Sequence, residues 1–151
     1  MSHWIYKNEP LVDIPEGVFG FVYQITNLSD DRKYIGRKYV TKSLRKAVKK
    51  KDGTKAVRKR KVVSESNWRA YTGSCEPLNK QIELLGKERF RFEILCLCPT
   101  KGTTNFAEEF CQMRAGVIFD DSYYNDSIGA RGFIGVKFND EFKEILRGID
   151  I

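Results

Sequence analysis

The sequence predicts a mixed α/β (α+β) domain, a small three-stranded antiparallel sheet flanked by helices, with a basic insertion after the second strand. Three observations carry that expectation. Two runs rich in β-branched and aromatic residues, 18–26 (VFGFVYQIT) and 33–40, flank the polar loop NLSDDR, which is a hairpin pattern. The stretch GSCEPLNKQIELLGK sets Leu78, Ile82 and Leu85 at helical spacing and meets Gly86 where a helix should stop. Residues 89–98 (RFRFEILCLC) are aromatic and aliphatic along their length and read as the third strand.

The remaining elements follow in chain order. Residues 1–17 are punctuated by Pro10, Pro15 and Gly17 and read as extended and irregular, with His3 on the surface. After the hairpin, Asp52-Gly53 divides a lysine-rich window whose form, projecting β-ribbon or loose loop, stays open. SESNWRAY reads as a helical stretch capped by Ser64 or Ser66, with Trp68 as packing. Residues 104–116 read as a helix with Phe106, Phe110 and Met113 on its buried face, and 140–148 as a short surface helix.

Composition narrows the class. With 151 residues, 41% hydrophobic and 13% aromatic, the chain can bury a core as one domain and is not disordered. No run approaches the roughly 20 apolar residues of a membrane span. The N-terminus has no secretory pattern, so a cytoplasmic protein is expected. Cys75, Cys96, Cys98 and Cys111 form no CxxC pair and have one histidine to partner them, so free thiols are expected and not a zinc site.

The net charge of +7 is local. Lys42, Arg45, Lys46, Lys49, Lys50, Lys51, Lys55, Arg58, Lys59, Arg60 and Lys61 stand against Asp52 alone, so this window carries +10 and the rest of the chain −3. Such a block meets a polyanion, nucleic acid first among them, and DNA is the expected partner with RNA left open.

Phe21-Val22-Tyr23 followed after ten residues by Tyr34-Ile35-Gly36 resembles the two-part signature of the GIY-YIG nucleases, the first part as a variant and the second in full. The passage LLGKERFRFEIL, a glutamate in the next helix and the pair Tyr124-Asn125 come in the family's order. The resemblance implies a nuclease domain over 18–128, with 1–17 as an extension, a basic insertion at about 42–63 and 129–151 as a tail. It also implies a metal-dependent endonuclease with Tyr23 as base, Tyr34 in support, and a glutamate holding one magnesium or manganese ion. Glu108 is preferred for that role by its spacing to Asn125, with Glu109 as the alternative. The family's arginine has no clear counterpart: position 44 is leucine, so Arg45 competes with Arg69, the latter paired with Tyr71.

The chemistry of those residue types agrees with such a role. A phenol near its ordinary pKa of about 10 is a weak base at neutral pH and needs cations beside it. Arg37 and Lys38 follow Gly36 directly and are read, with the basic window, as nucleic-acid contacts. Gly36 and Asn125 are read as support, Asn125 either anchoring the end of the glutamate helix or binding backbone near the site. The layout resembles small stand-alone nucleases of bacteriophages and mobile elements. Double-strand cleavage would need a homodimer or two encounters. The rival expectations are a catalytically inactive nucleic-acid-binding module and an RNA-binding or ribosome-associated basic protein.

Overall fold

The structure is a computed structural model and describes residues 2–49, 55–129 and 140–148. Its strands are β1 (Ile5–Tyr6), β2 (Glu9–Pro10), β3 (Gly20–Asn27), β4 (Lys33–Tyr39), β5 (Thr41–Lys49), β6 (Lys55–Glu65) and β7 (Phe90–Cys98). Its α-helices are α1 (Glu76–Leu85), α2 (Lys101–Ala115) and α3 (Asp140–Arg147). The main sheet has the order β2-β1-β7-β3-β4, and β5 pairs only with β6. The mixed α/β expectation holds, with two more strands than the sequence indicated. No helix among the described residues is long and apolar enough to cross a membrane.

The extra strands come from the N-terminal segment. Lys7 and Asn8 take positive φ (51° and 67°) and turn β1 back onto β2, while β1 runs parallel to β7. Trp4 holds the segment down. It is fully buried, its indole N–H donates to the Trp68 carbonyl at 2.8 Å, and its ring meets Phe21, Tyr23 and Phe92. His3 is half-buried, not on the surface, with its ring 4.0 Å from Phe92 and Nε2 2.9 Å from the Tyr71 carbonyl. We expect Trp4→Ala to cost about 3–5 kcal/mol, because a large ring leaves a cavity and an unpaired carbonyl. Urea unfolding measures it, and a loss below about 1 kcal/mol would show that the segment is not part of the core.

β3, β4 and β7 form the expected antiparallel core. β3 pairs with β4 from Gly20↔Tyr39 to Thr26↔Lys33 and with β7 on its other side, where a bulge falls between Val22 and Tyr23. One face of the sheet packs Phe21, Tyr23 and Ile25 against Trp4, Trp68, Leu78 and Ile82. The other packs Val22, Ile35 and Cys98 with Val117 and Ile128. α1 matches its sequence reading: Leu78 and Ile82 are buried, Leu85 packs on the core, and Gly86 ends the helix at φ +87°. The four cysteines are free thiols.

Two readings are corrected. SESNWRAY is not a helical stretch: β6 continues to Glu65 and only Trp68–Ala70 makes a 3-10 turn. Ser66 is held by β4 and its exit, its hydroxyl donating to the Tyr39 carbonyl and its amide to that of Val40, so it cannot cap a helix. The second correction concerns α2. Phe106, Phe110 and Met113 are 69%, 51% and 55% exposed, and the face turned to the sheet is Thr104, Glu108 and Gln112. These polar groups have partners there: Thr104 donates to the Thr100 carbonyl, Glu108 takes Arg37, and Gln112 bonds the Ile35 carbonyl. Burying them satisfied is tolerated where burying them unpaired would not be.

The basic window is a ribbon. β5 and β6 pair antiparallel from Thr41↔Glu65 to Lys49↔Lys55. The Asp52-Gly53 turn, with Lys50 and Lys51, lies outside the described residues.

Candidate active site

β4 is an edge strand of the main sheet, and its edge decides where a site can form. The first half is closed by residues 122–125. Lys33 N–H bonds Ser122, Tyr124 N–H bonds Lys33, and the Asn125 side chain takes both the N–H and the C=O of Ile35, at 3.0 and 2.8 Å. Asn125 thus contacts backbone at the β4 edge. Beyond Ile35, the strand faces a groove of about 1190 Å³ lined by Tyr34, Arg37, Lys38, Tyr71 and Glu108, with Lys42 and Lys61 at the ribbon root.

The two signature tyrosines differ in position. Alternation puts both on the same sheet face, because Tyr23 pairs with Gly36 and Tyr34 lies two residues earlier on β4. Tyr23 is 1% exposed, lies 6.1 Å from Tyr71 ring to ring, and does not line the groove. Burial, reinforced by Tyr34 and Tyr71, pushes its phenol well above the ordinary value. Tyr34 does line the groove, with its hydroxyl 3.4 Å from that of Ser74. Burial raises its phenol too, and the Ser74 hydrogen bond partly opposes that. A Cβ on Gly36 would stand 2.6 Å from the Tyr23 hydroxyl and 2.9 Å from Tyr34 Cε1, so both rings need a bare backbone there.

From the α2 side, Glu108 reaches the groove, while Glu109 is exposed and lies against Gly129 without lining the groove. The Arg37 guanidinium binds Glu108 Oε1 at 2.5 Å, and the Glu108 side chain is 9% exposed. Burial pushes the Glu108 carboxyl up, and Arg37 pulls it back. Burial works against the charge of Arg37, but Glu108 and Tyr39 outweigh it and raise its pKa. Burial thus opposes the charge on both partners, and their mutual contact favours it. Lys38 lies 4.1 Å above the Tyr71 ring and donates to Asn67 at 2.7 Å.

Of Arg37, Arg45 and Arg69, Arg37 alone lines the groove. Arg69 is not in the groove; it binds Asp13, Glu65 and the Val12 carbonyl on the outer surface. Arg45 lies on β5, part of the separate ribbon. Arg37 is the arginine at the groove, and strand alternation from Ile35 could have found it, since i+2 faces the same helix.

No cluster of three or more His, Cys, Asp or Glu able to hold a metal occurs among the described residues. Glu108 is a single buried carboxylate among the described residues, beside the groove. That donor set does not suit zinc, which wants four protein or near-protein ligands. It does suit a hard cation that keeps its waters and takes one carboxylate plus substrate phosphate, as magnesium does.

Among known proteins, a family model described as "Putative endonuclease segE, GIY-YIG domain" matches residues 4–128. No curated protein and no solved structure matches the chain. The matched span takes in Trp4 at one end and the Asn125 segment that closes β4 at the other. It therefore includes the whole sheet and every residue that lines the groove up to Asp126 and Ser127, and the chain belongs to the segE-type GIY-YIG endonuclease family.

Proposed function

We propose that the chain is a metal-dependent DNA endonuclease, hydrolysing phosphodiesters by in-line attack of water in the β4 groove. The observation that best supports this is the face α2 turns to the sheet: Phe106, Phe110 and Met113 stand exposed, while Glu108, beside the small residues Ala107 and Cys111, meets Arg37 in the groove. A charge buried in such a place needs a partner, and Arg37 supplies it. Glu108 would hold magnesium or manganese, which supplies charge against the phosphoryl oxygens and a more acidic bound water.

The other roles follow from position. Arg37 and Lys38 offset the charge that builds on the phosphate as the water attacks. Tyr34 is the phenol that meets substrate and water, because it lines the groove. Tyr23 supports it from behind through Tyr71, which exchanges the roles that the family resemblance implied. Gly36 and Asn125 hold the edge of β4 in place.

The test is supercoiled plasmid with magnesium or manganese, against the same protein in EDTA. Nicking or linearisation that needs the metal is expected. Binding without cleavage in either metal would instead identify an inactive binding module, and equal affinity for DNA and RNA without cleavage an RNA-binding protein.

The tyrosine roles carry a pH signature. A phenol raised by burial is protonated at neutral pH, so its basic form gains about tenfold per pH unit below its pKa. The cleavage rate should therefore climb from pH 7 to pH 9 without a plateau. Tyr34→Phe should flatten that climb, while Tyr23→Phe lowers the rate and keeps the slope. The reverse pattern would return the basic role to Tyr23.

A further inference from the structure

We propose that the β5–β6 ribbon docks in the major groove of B-form duplex DNA, which makes double-stranded DNA the substrate class of the adjoining site. The inference rests on the nuclease reading for what happens at that site, but not for the binding itself. The ribbon is a separate two-stranded sheet, and its root residues Lys42, Ser43, Lys61 and Val63 line the same groove as Tyr34 and Glu108. A chain of DNA held along the ribbon therefore passes the site without a gap.

The ribbon's own chemistry asks for an anion. Its register sets Arg45 opposite Lys61, Lys46 opposite Arg60 and Lys49 opposite Lys55. Like charges directly opposite each other destabilise an antiparallel pair. Phosphates on either flank would reverse that sign. Cations also continue into the groove, where Lys38, Lys42, Lys61 and Lys101 line its wall.

The shape and composition choose among polyanions. β5 and β6 contain no Phe, Tyr or Trp, so the ribbon has none of the stacking platforms on which single strands are held. A two-stranded ribbon fits the B-DNA major groove, about 12 Å wide, without deforming the duplex, whereas entering the minor groove at about 6 Å requires widening and bending it. The major groove of A-form RNA is too deep and narrow for side chains to read. At about 3.4 Å per residue, the eight steps from Thr41 to Lys49 extend about 27 Å, or roughly eight base pairs. Contacts this far from the cut would position the duplex, and Leu44 and Val63, 53% and 59% exposed at the root, offer apolar surface to a thymine methyl.

The test is fluorescence anisotropy in EDTA, so that no cleavage is required. Probes are a 30-base-pair DNA duplex, its single strand and the matching RNA duplex. Competitors are methyl green for the major groove and netropsin for the minor groove. Tighter binding of duplex DNA by about tenfold or more is expected, with displacement by methyl green and not by netropsin. A variant with Arg45, Lys46, Lys59 and Arg60 all changed to Gln should weaken binding by about tenfold or more and flatten the salt slope by up to about 3.6. Its fold is checked by urea unfolding, and guanine N7 methylation interference on wild-type protein gives an independent reading. Displacement by netropsin alone, equal affinity for duplex RNA, or no N7 interference would overturn the proposal. Plasmid cleavage that persists in any of those cases would leave the nuclease reading intact, and major-groove binding without cleavage would do the converse.

Discussion

Glu108→Gln is expected to lower metal-dependent cleavage by about 10³-fold, the equivalent of about 4 kcal/mol, while DNA binding and folding persist. Glutamine keeps an oxygen where Arg37 finds Glu108 Oε1, so the hydrogen bond at the β4 edge survives. What it loses is the negative charge that would hold the cation. Stability should change little, because the buried charge disappears along with its partner's attraction and Arg37, at 25% side-chain exposure, still reaches water. Glu109→Gln is the internal control, since that residue is exposed and does not line the groove. Manganese binding followed by electron paramagnetic resonance gives a readout apart from turnover. Loss of cleavage and of manganese binding in Glu109→Gln, with Glu108→Gln unaffected, would overturn the assignment.

Arg37→Ala should lower cleavage by about 10²–10³-fold, the range found when one charge-stabilising donor is removed from a reacting centre. Arg69→Ala should leave cleavage within about twofold, because its guanidinium is spent on Asp13 and Glu65 outside the groove and surface pairs of that kind contribute little. Arg37→Lys separates charge from geometry. A lysine retains the cation but not the planar fork, so activity between wild type and alanine is expected. If Arg69→Ala proves the damaging change and Arg37→Ala does not, the phosphate must lie elsewhere than in this groove.

The sheet was legible because its signals are local. Residues 20–39 hold two β-rich runs and a turn, and α1 carries an apolar stripe with a glycine stop, so periodicity and chain punctuation suffice. The N-terminal strands were not legible, since two-residue strands have no period, and only the burial of Trp4 makes them part of the sheet. The α2 face misled for a different reason. Apolar residues at 106, 110 and 113 form the ordinary mark of a buried face, and the polar residues that displaced them find partners only across the tertiary structure. The same holds for the site. Tyr34 and Glu108 could be named from motif and spacing and Arg37 found by strand alternation, whereas the engagement of Arg69 elsewhere shows only in what its guanidinium touches.

The bare backbone at Gly36 turns one letter of the chain into a diagnostic. A single added carbon there would sit within 3 Å of both tyrosine rings, and its neighbours are ring atoms that cannot simply swing aside. No side chain can enter without breaking up the paired phenols. A related chain that carries alanine at this position, however well the rest of its sequence aligns, has given up that pairing. The glycine therefore sorts intact sites from decayed ones before any protein is made.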